Sequence, residues 1–82
     1  MTTLNAAAPL RAEHLRLAQE AHELRDLVLA GAFADPVDGA ALLFRTLDPN
    51  VPSRFAERDP FVRAGLVVAW RVRPWTVVIG SV

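Results

Sequence analysis

A chain of 82 residues with no cysteine has neither a disulfide nor a thiolate metal site to staple it, and one small domain of that size is marginal alone. Its hydrophobic content of 52% is nonetheless too high for a disordered chain, so the missing stability points to oligomerisation, most simply a homodimer. The formal net charge of zero gives no electrostatic footprint for nucleic acid or an anionic membrane. With no apolar run of spanning length and no signal-peptide start, a soluble cytoplasmic protein is expected.

Residues 1–9 are small and polar apart from Met1 and Leu4, follow neither structural period, and are closed by Pro9. They read as a flexible lead or a weak strand, ahead of one domain over 10–82. Residues 10–25 read as an amphipathic helix. Leu10, His14, Leu17, Ala21 and Leu24 recur at three- and four-residue steps on one face. Glu13, Arg16, Glu20 and Glu23 occupy the other, with Glu20 placed to pair with Arg16.

Leu27 to Phe33 and Ala40 to Arg45 read as strands joined through Ala34-Asp35-Pro36-Val37-Asp38-Gly39, where Asp38-Gly39 is a strong hairpin signal. Both strands are apolar on both faces, so something must cover the second face, and a second copy of the chain is the simplest cover. Residues 48–52 make a loop, and a short helix follows from about Ser53 to Arg58.

Pro60 drives Asp59 out of the α region, so that helix stops there. Asp59 then suits the N-cap of a new short turn with Pro60 as its first helical residue, and Gly65 suits the left-handed residue that ends it. Leu66 to about Val72 is β-branched and aromatic and reads as a strand. Pro74 cannot donate to a ladder and marks a bulge or an edge, after which Thr76 to Ile79 offers one more short strand. Helix, hairpin, helix, strand is an α+β order, with helices on one face of an antiparallel sheet.

Three side chains invite a mechanism: His14, Asp59 and Arg11. An imidazole in an apolar helical stripe is either a hydrogen-bonded core residue or a general acid–base facing a pocket. Asp59 as an N-cap still leaves one carboxylate oxygen free for a histidine. Arg11 is either solvated or placed to meet an anionic substrate. Trp70 and Trp75 read as core, dimer interface or ligand platform. His14 and His22 stand eight residues apart and do not share a face well, a weak basis for a metal, and no cofactor is expected. RNA binding lacks both the aromatic stacking pattern and a basic surplus.

Four stretches together resemble the YCII-related (YciI-like) family, from about residue 10 to residue 80. They are Arg11-Ala12-Glu13-His14-Leu15; Ala30-Gly31-Ala32-Phe33-Ala34-Asp35-Pro36 with Asp38-Gly39; Asp59-Pro60-Phe61-Val62 with Ala64-Gly65-Leu66; and Trp70-Arg71-Val72-Arg73-Pro74-Trp75. The resemblance implies a ferredoxin-like fold, two of which pair through their sheets into a dimeric α+β barrel. It also implies an active site built on a His and an Asp, matched here by His14 and Asp59, with Arg11 ahead of the His. The strand that opens the family fold is missing or weak here. Leu24-Arg25-Asp26-Leu27 stands where the family tends to carry a Gly.

Two functions follow as expectations. One is a small-molecule enzyme of lyase, isomerase or hydrolase-like type. In it His14 moves a proton on a small cyclic or enolisable substrate, Asp59 orients the imidazole, Arg11 meets an oxyanion, and Phe33, Trp70 and Trp75 wall the site. The other is a non-catalytic dimeric small-ligand binder or degenerate relative.

Overall fold

The computed structural model describes residues 3–81. The elements are α1 (Thr3–Glu23), β1 (Leu27–Ala32), β2 (Ala40–Phe44), α2 (Asn50–Arg58) and α3 (Pro60–Arg63). This is a small α+β arrangement around one two-stranded antiparallel sheet.

α1 begins at Thr3 and carries Pro9 inside it. Residues 3–9 are therefore helical, neither lead nor weak strand, while residues 1 and 2 lie outside the described residues. Ala6-Ala7-Ala8 supplies strong helix propensity that an isolated Pro does not override. The interior proline still removes one backbone donor.

The helix ends in a Schellman turn. The Asp26 N–H donates to the Ala21 carbonyl (3.1 Å) and the Arg25 N–H to that of His22 (2.9 Å). Arg25 occupies the left-handed position at φ 68°. Leu24 makes the last helical bond, its N–H to the Glu20 carbonyl at 3.0 Å, and ends the apolar stripe exposed. Leu10, His14, Leu17 and Ala21 precede it on the stripe and are half-buried or buried.

β1 and β2 pair in the register Leu27↔Phe44, Leu29↔Leu43, Ala30↔Leu42, Gly31↔Ala41 and Ala32↔Ala40, with a bulge between Leu27 and Leu29. The Phe33 N–H donates to the Gly39 carbonyl at 2.8 Å and closes the loop. The Phe33 ring lies across Gly39, where an added Cβ would come within 3.0 Å of it, so a side chain there would displace the ring. Phe44 and Leu42 face the helices, and Phe44 meets the ring of Phe55 on α2 edge-on at 5.4 Å. Leu29 and Leu43 face the other way, and Leu29 is 57% exposed.

α2 starts at Asn50, three residues before the expected Ser53. Pro52 falls in its first turn, where the N–H groups have no helical acceptor, so a missing donor costs little. Asp48 Oδ1 accepts the Asn50 N–H at 2.9 Å. α3 follows at once, and Leu17, Leu27 and Asp59 are the buried residues at the junction of these layers.

The expected strands over Leu66–Val72 and Thr76–Ile79 do not form. Residues 66–81 join no ladder and are exposed along their length. β-propensity measures the fit to a pleated, half-buried surface, and this segment pairs with neither described strand.

Candidate functional site

The site is built by the break at Asp59-Pro60. Asp59 is extended (φ −65°, ψ 123°), as a residue before proline must be, and it caps α3 with Pro60 in the first turn. Its Oδ1 accepts the Phe61 N–H at 2.9 Å. Its Oδ2 lies 3.0 Å from His14 Nδ1. One carboxylate thus serves a local cap and a contact 45 residues away in sequence. Asp59 is 7% exposed, and its partner is a part-buried imidazole on the inward stripe of α1. An ionised carboxylate only accepts, so His14 Nδ1 carries the hydrogen and donates it. Nε2 is left as the nitrogen that takes up or releases a proton.

Two rings hold the imidazole. Phe61 stacks on it with centroids 4.9 Å apart and planes at 27°, and Phe55 approaches edge-on at 6.5 Å. Sequence reasoning passed over both. The signal was available, because Phe61 belongs to the Asp-Pro-Phe break and Phe55 lies on the inward face of the short helix just before it.

Arg11 is exposed one turn before His14. Phe33, Trp70 and Trp75 are not gathered at the imidazole. Phe33 packs on the hairpin loop at Gly39, and Trp70 and Trp75 lie on the exposed C-terminal segment. The expected wall is therefore not assembled within one chain.

His22, eight residues along the chain from His14, has a structural partner. Its Nδ1 donates to the Leu27 carbonyl at 2.8 Å and ties the end of α1 to the start of β1. A carbonyl only accepts, so this nitrogen also carries the hydrogen. On the outer face of α1, Arg16 donates to both Glu13 and Glu20, the latter at 2.5 Å. That hydrogen bond from Arg16 holds the Glu13 carboxyl below its usual value, and its counterpart from Glu13 raises the Arg16 guanidinium further.

Two clefts are lined by neither His14 nor Asp59. One of about 290 Å³ runs along Ala18, Gln19 and His22 beside β1. Another of about 110 Å³ lies between Leu17, Leu24, Phe44, Phe55 and Arg58. Among the described residues, no group of three or more potential metal-ligating side chains comes together, and no helix is long and apolar enough to cross a membrane.

No family model, curated protein or solved structure matches the chain.

Proposed function

We propose that the chain is a YCII-related, ferredoxin-like module that pairs with a second copy and performs acid–base chemistry at His14 on a small cyclic or enolisable substrate. Supporting this reading is one observation: the imidazole of His14 is bound through Nδ1 to a carboxylate that is itself fixed by the Phe61 N–H. Such a pair holds one tautomer and stabilises the imidazolium that forms when Nε2 takes a proton. A carbon acid beside a carbonyl gives its proton to Nε2, the carbonyl oxygen gains the negative charge, and Arg11 meets that oxygen. The same imidazolium returns the proton at another position or to a leaving group. Phe55 and Phe61 keep the ring oriented and partly dry.

A second reading, a non-catalytic binder of small ligands, is favoured by the clefts that bypass His14 and by the scattered positions of Phe33, Trp70 and Trp75. Screening lactones, enols and halogenated hydroquinones separates the two. Turnover that falls about 10²- to 10⁴-fold in His14→Ala is the result expected of an acid–base catalyst. Thermal shift by a panel member without turnover selects the binder. Turnover indifferent to His14→Ala overturns the assignment of the base.

A further inference from the structure

The chain exposes far more surface than a folded monomer of its mass. Its accessible area is 6715 Å² at 9.0 kDa, where a compact monomer exposes about 4,900 Å², leaving an excess of about 1,900 Å². Its radius of gyration is 13.4 Å, against about 11.7 Å for a compact domain of this length. An excess of this size is what one subunit of an obligate dimer hides, since such interfaces bury roughly 2,000–5,000 Å² over both partners.

Two features of the described chain leave apolar surface exposed, and they complement each other. The first is the two-stranded sheet, with an unpaired outer edge on each strand and Leu29 more than half exposed. The second is the segment after Gly65. The Leu66 and Val67 N–H groups both donate to the Phe61 carbonyl. Beyond Val67, no backbone hydrogen bond joins the segment to the rest of the described chain. From Val68 it alternates, with Val68, Trp70 and Val72 on one side and Ala69, Arg71 and Arg73 on the other. Pro74 stops it after a length that matches β1 and β2. A strand-like sequence left unladdered beside a sheet with open edges is the situation that strand addition resolves.

We infer that residues 68–73 form an exchanged strand, adding to an outer edge of the sheet in the second copy of this chain. Two copies trade arms reciprocally, as two-fold symmetry requires. The exchange pairs the orphan backbone groups of the arm and moves Val68, Trp70 and Val72 from water to the partner's apolar layers. This rests on the homodimer reading and specifies which segment makes the dimer.

The absence of native cysteine makes the test clean. Sedimentation of the full chain is expected to give twice the 9.0 kDa chain mass. Val68→Pro/Val72→Pro removes two donors from the arm and leaves α1 to α3 untouched. With two donors lost from each of the two exchanged arms, it is expected to weaken the dimer by about 10³-fold at roughly 1 kcal/mol per lost ladder bond, with unchanged far-ultraviolet dichroism. Mixing chains carrying Ala69→Cys with chains carrying Ala30→Cys or Ala41→Cys, then adding a short bismaleimide, is expected to yield a mixed cross-linked dimer from one pairing. A dimer indifferent to the double proline overturns the exchange and leaves the dimer standing, as does the absence of a mixed cross-link from both pairings. A chain that sediments as a monomer at all concentrations overturns both.

Discussion

Two helices of this protein end in the same way and lead to opposite outcomes. α1 closes with the Asp26 N–H on the Ala21 carbonyl and Arg25 at φ 68°. α3 closes with the Leu66 N–H on the Phe61 carbonyl and Gly65 at φ 78°. Both are Schellman turns, and both release the chain into apolar, β-prone sequence. After the first, Leu27 is 3% exposed and its strand is paired. After the second, Val68 is 92% exposed and nothing is paired. Local chemistry sets where a helix stops; whether a strand follows depends on an edge supplied from elsewhere.

The largest effect should come from the buried side of this contrast. Leu27→Ala empties a core position in a domain with few buried residues and should cost about 2–5 kcal/mol. Val78→Ala, beyond Pro74 on the exposed segment, should stay within about 0.5 kcal/mol. Urea denaturation of both variants checks the pair. Equal losses would mean that the exposed segment is packed as tightly as the hairpin.

Next in size is the carboxylate that joins α1 to the start of α3. Asp59→Ala removes a cap and leaves the part-buried His14 Nδ1 without its acceptor, together about 2–3 kcal/mol. Asp59→Asn keeps an Oδ1 acceptor for the Phe61 N–H and should cost under about 1 kcal/mol, because Asn caps helices as well as Asp. Yet its amide can donate to His14 Nδ1 and thereby move the imidazole hydrogen to Nε2. Nitrogen-15 shifts of the His14 ring should report that tautomer change at nearly unchanged stability. A ring that keeps its hydrogen on Nδ1 in Asp59→Asn would show that Asp59 does not set the tautomer.

What was legible in the sequence follows the same division between local and distant causes. The hairpin, the Asp59-Pro60 break, the cap and the left-handed Gly65 are each decided within a few residues, and each lies where its residues place it. The His14–Asp59 contact was legible at one remove, since a capping carboxylate has a second oxygen and an inward imidazole needs a partner. Residues 3–9 were misjudged because Pro9 reads as a stop, while the alanines before it favour helix. Leu66–Val72 was misjudged because β-propensity carries no information about whether a neighbouring strand exists. For the same reason Trp70 and Trp75 could not be assigned to a wall from composition alone.

The smallest effects should come from the turns themselves, and they should have opposite signs. Gly65→Ala forces a Cβ into the left-handed region and should destabilise by about 1–2 kcal/mol. No atom lies within 4 Å of the added Cβ, so the cost is conformational, without a clash. Arg25 already bears that cost at φ 68°. Arg25→Gly should therefore stabilise, by only about 0.5–1 kcal/mol, because glycine loses more backbone freedom on folding and offsets part of the relief. Arg25 is exposed, so little packing is forfeited. Thermal melts of the two variants and their combination should show the shifts adding, since the turns end different helices and share no hydrogen-bond partner. An Arg25→Gly variant that melts below the parent would mean that the Arg25 side chain contributes more than its backbone costs, and the two turns would then be alike in geometry only.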